Sequence, residues 1–463
     1  MHAGRLVWWF SAVVLAAVGC GGEDKTTPRI PPSARSWSPP ETIEDSKLAI
    51  FIQAASDTRG NALLVWDDLD GNVNAKRYDA SKRTWTKSEQ LDADNPDDSA
   101  APDLAMDGQG NALAVWQRQS QELDTRSVWT NRYDAAKGTW GEATLLENSE
   151  LVLAPQLAMD RAGNALMAFT RSEIGASVMT ARFDVERGAW SAAEPLAPPE
   201  GLIAGGPQLA LAAGGAGVVV WMDGDTESSA IRAARYEAKS GAWRDVQTID
   251  AKASMAQASG VAINEAGRAV VVWVHTVWEA PADGQDAADG DDAADGEEKI
   301  SVWTSRSEGP GRPFGEPERL DLEDHGAALL PRVVLDAAGN ALVVWSADDK
   351  GRRHVWTNRY SAADGAWSGA ETLDSGDFDA FLPGLDSDGD GNVRVLWTRE
   401  VGSRRSPWTR YYSAAEQTWS TPEPLDPDVS GQSEFVKLGL MGDGRALAVW
   451  FRDGSTMVAS HLR

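Results

Sequence analysis

One cysteine, Cys20, occurs in 463 residues, which excludes an intrachain disulfide and with it any disulfide-framed fold. Histidine is nearly as scarce, five in all with one at position 2, so triad and metal chemistry have little material. The sequence holds no Gly-x-Ser-x-Gly elbow, no His-Glu-x-x-His and no paired-histidine spacing. Basic charge is also short: 43 Lys+Arg stand against 70 Asp+Glu, a net charge of −27. That balance argues against nucleic acid or anionic lipid as the partner of the bulk surface. Past residue 20, no apolar run is long enough to span a bilayer.

What is present begins at the amino terminus. Arg5 gives a positive start, and Leu6 to Val18 is an apolar run too short for a membrane span but of signal-sequence length. It ends in Ala17-Val18-Gly19-Cys20, which resembles the bacterial lipobox. The resemblance implies that residues 1–19 are a lipoprotein signal and that Cys20 is acylated and becomes the new amino terminus. The alternative is an ordinary secretory signal followed by a chance cysteine. By the same resemblance, Gly21 after the cysteine implies sorting to the outer membrane of a Gram-negative cell, with palmitate-type chains as the membrane anchor. Residues 20–35, rich in Pro, Gly and charge, read as a flexible tether.

From residue 36 a repeat takes over. A Gly-x-x-x-x-x-aromatic pattern places aromatics at Trp66, Trp116, Phe169, Trp221, Trp273, Trp345, Trp397 and Trp450. The spacings are 50, 53, 52, 52, 72, 52 and 53, so there are eight units, one with an insertion. Each unit reads as four short strands. An apolar stretch leads to an Asp-x-x-Gly-Asn turn, such as Asp107 to Asn111, then to a near-continuous apolar strand, such as Ala341 to Trp345. A Val-Trp-Thr-Asn-Arg-Tyr strand and a Trp-x-x-x-Glu-x-Leu strand complete it. The third-to-fourth connection is constant: Tyr78, Tyr133, Phe183, Tyr236, Ser307, Tyr360 and Tyr412 each precede the next aromatic by seven residues. Four antiparallel strands per repeat predict an all-β fold, an eight-bladed β-propeller over 36–463. The eighth unit reaches Leu462 without a fourth strand, and Trp37 to Ile43 fits that pattern, so the N-terminal strand is expected to complete the last blade. An open solenoid is the alternative.

The chain resembles repeat-built propeller proteins in general. Its Asp-x-x-Gly-Asn hairpin is similar to the Asp-box of sialidase-type propellers, and Asp134 to Trp140 resembles the tryptophan-docking turn of quinoprotein-type eight-bladed propellers. The chain also resembles lipoproteins of predatory or social δ-proteobacteria, of myxobacterial type, and that resemblance implies no activity. The quinoprotein-type likeness implies a scaffold for outer-membrane assembly as one alternative function.

Several residues are candidates for a site. Of the 21 tryptophans most fall on repeat positions and read as core; Trp278 lies off the repeat. Arg77, Arg132, Arg182, Arg235, Arg306 and Arg359 precede the third-strand aromatic slot. Glu41, Glu89, Glu194, Glu318, Glu371 and Glu423 lie four residues past the fourth-strand aromatic. Strand alternation puts the two sets on opposite faces, so each Arg is expected to meet the Glu of a neighbouring blade. Asp386, Asp388 and Asp390 resemble the DxDxDG calcium loops of integrin-type propellers, which implies a Ca2+ site; the plain reading is an acidic hairpin turn. Residues 279–299 are acidic and of low complexity and are expected to form a disordered loop.

Function is expected where repeats disagree. The second-to-third connections vary from 12 to 34 residues between aromatics and share a face with the fourth-to-first connections. Near that rim stand Arg118, Arg171, His275, Arg399 and Arg452, and four arginines there make a candidate anion-binding ring, or ordinary loop polarity. The reading is a non-catalytic binding or scaffold lipoprotein that recognises a protein or envelope polysaccharide. The alternatives are a glycan hydrolase or lyase using channel carboxylates, and the assembly scaffold.

Overall fold

The turn residues organise each repeat. In Asp57–Asn61, Asp107–Asn111, Asp160–Asn164, Asp336–Asn340 and Asp388–Asn392, the Asn backbone N–H and side-chain amide both donate to the Asp carboxylate at 2.7–3.0 Å. The glycine between them takes φ of +81 to +94°, which a side chain disfavours. The same Asn then accepts, through Oδ1, the backbone N–H of Ala80, Ala135, Val185, Ala362 or Ala414 in the third-to-fourth turn. One motif therefore ties two hairpins together at one end of the blade.

The computed structural model describes residues 35–45, 49–92, 97–120, 125–149, 151–173, 175–198, 203–225, 228–251, 255–279, 297–322, 326–374, 376–388, 390–427, 432–440 and 445–463. The signal, Cys20 and residues 20–34 of the expected tether lie outside these. Among the described residues the elements are all strands, arranged as eight antiparallel sheets, one per blade. The innermost strands are Ala49–Ser56, Asp98–Met106, Leu151–Met159, Ile203–Leu211, Met255–Ile263, Ala328–Leu335, Asp379–Ser387 and Ser433–Leu440. Each touches the innermost strand of the next blade, and the last touches the first, so the blades form a closed ring.

Closure occurs where the sequence places it. Glu41–Asp45 pairs with Thr456–Leu462, and Trp37 bridges Leu462. Lys76 of blade 1 forms an ion pair with Glu44 at 2.6 Å, and the Tyr78 ring stacks 4.2 Å from His461. Ile43, Ile52, Trp66, Val449 and Met457 share one core cluster, so the N-terminal strand joins the last blade to the first. The second-strand aromatics, Trp66 to Trp450 with Phe169, are all fully buried, as the repeat predicts.

Three details differ from the sequence reading. The outer strand is broken in blades 1, 2, 3, 6 and 7, for example into Ala366–Trp367 and Glu371–Thr372. At the break the hydroxyl of Thr86, Ser191, Ser368 or Ser420 accepts a third-strand backbone N–H at 3.0–3.2 Å. This break also redirects the Arg and Glu series. Tyr360 pairs with Trp367 but Thr357 pairs with Glu371, so the outer strand spends one extra residue and its alternation shifts phase. Glu318 and Glu371 consequently meet Arg306 and Arg359 of their own blades, at 2.6 and 3.7 Å. The arginines do cross the interface, but to the neighbour's aromatic slot. Arg359 donates to Tyr412 Oη at 2.8 Å, Arg182 to Tyr236 Oη at 3.4 Å, and Arg306 lies 3.7 Å over the Tyr360 ring. Third, the strands flanking the 279–299 insertion pair as far as Glu279 with Glu297, placing Trp278 opposite Glu298. Both ends of that segment are therefore ladder rather than loop, and residues 280–296 lie outside the described residues.

Candidate functional site

The rim residues are held by their own blade or by the one before it. Arg118 lies 3.9 Å over the Trp129 ring and reaches Ser99 Oγ at 3.5 Å. Arg399 sits 3.5 Å over Phe378 and 4.7 Å over Trp408. Arg171 pairs with Glu147 at 3.5 Å and Arg452 with Asp426 at 2.5 Å. His275 packs 5.8 Å from the Trp303 ring, and burial pushes its imidazole pKa down. Each guanidinium thus already has an aromatic or carboxylate partner, which leaves them positioned but not jointly aimed at one point.

Asp388 spends its carboxylate on the turn. Oδ1 accepts the N–H groups of Asp390 and Asn392 at 3.0 Å, and Oδ2 accepts the Asn392 amide at 2.9 Å. Asp386 Oδ1 accepts the Ser387 N–H at 2.8 Å. A calcium ion at Asp386, Asp388 and Asp390 would have to compete with the bonds that shape the hairpin in the other blades as well. Among the described residues no three His, Cys, Asp or Glu side chains are grouped to hold a metal.

A different constellation lies at the axis. Every innermost strand carries a bulge, a register shift opposite its second strand. In five blades the bulge holds a proline preceded by a residue of positive φ: Ala101, Ala154, Gly206, Leu330 and Leu382, at +50 to +58°. That conformation is costly for a non-glycine residue before proline, and such strain gathers where a side chain is being re-aimed. The residue re-aimed is the next one. In register it is Gln53, Asp103, Gln156, Gln208, Gly260, Arg332, Gly384 and Lys437, one from each blade in order.

Apart from the two glycines these residues are polar, and Arg332 and Lys437 are half-buried. Gln53, Asp103, Gln156 and Gln208 are 1–5 % exposed. Asp103 accepts the Leu104 and Leu157 N–H groups at 2.9 and 2.8 Å, and Arg332 donates to Ser259 O at 3.0 Å. Gln156 and Gln208 donate to their own proline carbonyls at 3.2 and 3.0 Å. Lys437 feels the charge of Arg332, two blades away on one side, and of Asp103, two blades away on the other. Side chains of alternate blades can interact in this way only across the axis. Burial raises the Asp103 carboxyl to about 7, and lowers Lys437 to about 8 and Arg332 to about 10. Sequence reasoning missed this set because each member sits alone in its repeat. The signal was there: Pro102-Asp103, Pro155-Gln156, Pro207-Gln208 and Pro331-Arg332 place a polar residue after proline inside an otherwise apolar strand.

No family model matches the chain, and no curated protein matches it. Solved structures do. The Dos1 propeller is similar over 93% of this chain and 95% of its own, at 10% identity and a TM-score of 0.55. A polysaccharide lyase, an ulvan lyase, is similar over 91% of this chain and 95% of its own, at 10% identity and a TM-score of 0.53. An α-L-arabinofuranosidase of Fusarium graminearum covers 92% of this chain and 98% of its own, at 12% identity and a TM-score of 0.45. At such identities the likeness to the first two shows the fold: the chain is a β-propeller.

Proposed function

We propose that the protein is a non-catalytic binding lipoprotein of the cell envelope, anchored in the outer membrane through acylated Cys20. It recognises a protein or an envelope polysaccharide on the face that carries its variable connections. The observation that supports this reading is the asymmetry of the ring. In five blades one face carries the same Asp–Asn hairpin, locked by the same hydrogen bonds, while the connections of the other face differ from blade to blade. A rigid scaffold presenting unlike loops suits recognition. The glycan-cleaving alternative needs two carboxylates, and the axial ring offers one, Asp103.

The test is capture from solubilised envelope by residues 21–463, beside a variant carrying Arg118→Ala, Arg171→Ala, Arg399→Ala and Arg452→Ala and checked for fold by near-UV circular dichroism. Material held by the first and lost by the folded variant supports recognition at this rim. Captured β-barrel precursors rather than glycan would identify the assembly scaffold. Release of cleaved glycan that Asp103→Asn abolishes would replace the binding reading with an enzymatic one.

A further inference from the structure

The axial ring concentrates positive charge inside an acidic protein. Among the described residues no carboxylate lies within ion-pairing distance of Arg332 or Lys437, which stand half-buried on the innermost strands of their blades. Lys437 feels the charge of Asp103, but both oxygens of that carboxylate already accept backbone N–H groups. Two half-buried cations that feel each other's charge without a counter-ion repel one another unless something anionic joins them. The amide groups add a second feature. Neither Oε1 nor Nε2 of Gln53 has a hydrogen-bond partner, nor has Oε1 of Gln208, although these atoms are buried. Unmet donors and acceptors of this kind are rare in a native interior and ask for an occupant. Gly384, between Arg332 and Lys437 in the ring order, contributes no side chain there.

We propose that this ring is a binding site for an acidic sugar, its carboxylate held between Arg332 and Lys437 and its hydroxyl groups by Gln53 and Gln208. The guanidinium fork suits a carboxylate geometrically, and Lys437 adds a compact charge. An amide presents both a donor and an acceptor, which is what a sugar hydroxyl needs. The inference rests on the reading of the protein as a binding protein and specifies the chemistry it takes.

Isothermal titration of residues 21–463 with sodium D-glucuronate, sodium acetate and D-glucose tests it. Glucuronate is expected to bind most tightly, acetate more weakly and glucose not at all over the same concentrations. Lys437→Met is expected to weaken glucuronate at least tenfold while the melting temperature holds or rises, since it deletes a half-buried charge that Arg332 repels. Lys437→Arg retains binding, and Gln53→Leu weakens glucuronate while leaving acetate unchanged. Equal binding of glucuronate and glucose overturns the site, as does unchanged affinity in the folded Lys437→Met variant. The titration uses no envelope material. Envelope capture without glucuronate binding removes the axial site and leaves the loop face, whereas glucuronate binding without capture removes the loop face alone.

Discussion

At the residue scale, the contrast is between positions that repeat and positions that do not. The Asp–Asn turns, the buried tryptophans and the Tyr–Trp or Phe–Trp pairs, with centroids 5.2–5.5 Å apart, recur and were legible because recurrence separates signal from chance. Gln53, Asp103, Arg332 and Lys437 occupy one structural position with four different chemistries, so nothing in the sequence groups them. Asp103 allows a direct check. Its carboxyl is raised from an ordinary 3.8 to about 7, so between those values the folded state holds a proton that the unfolded chain releases. Stability from this group is therefore complete below about pH 4 and is lost as pH rises through about 7. An asparagine side chain at this position has a similar shape and does not titrate. The melting temperature of Asp103→Asn minus that of the unmodified protein is thus expected to grow between pH 5 and pH 8, which calorimetry at several pH values measures. A difference independent of pH would mean that the carboxyl is not sequestered at the axis.

At the element scale, the number and order of the strands are legible in the sequence, and their continuity is not. Strand periodicity is insensitive to a one-residue slip, yet such a slip turned Glu371 to the face of Arg359 in its own blade. The inner-strand bulges escaped for the same reason. They are invisible to an apolar count, and only the prolines mark them. Closure, by contrast, was legible because Trp37 to Ile43 is a fourth strand without a preceding third. Its removal leaves Thr456–Leu462 as an open edge and strips Ile43 from the cluster shared by blades 8 and 1. It also leaves Lys76 buried without Glu44. Burying a Leu- or Ile-sized side chain contributes about 2 kcal/mol, and an orphaned buried cation costs about 3 kcal/mol more. Deleting residues 36–45 is expected to lower the melting temperature by about 5 °C or more and to produce oligomers on size exclusion, since an unpaired edge templates association. A monomer of unchanged stability would show that the ring closes without this strand.

At the scale of the whole molecule, the net charge of −27 opposes the approach of any anion, while the axial cations attract it once inside. The two effects separate with salt, because screening acts most over the solvent-exposed surface and less over a half-buried pair. The Debye length shrinks from about 30 Å at 0.01 M to about 8 Å at 0.15 M ionic strength, so the repulsive field of the surface collapses over that range. The association rate of glucuronate is therefore expected to rise several-fold from 10 to 150 mM sodium chloride, with little change in its dissociation rate. Stopped-flow tryptophan fluorescence reads both constants. The opposite trend, association slowed by salt, would place the encounter at an exposed positive surface. In that case Arg118, Arg171, Arg399 and Arg452 on the variable-loop face, rather than Arg332 and Lys437 at the axis, would be the residues to replace next.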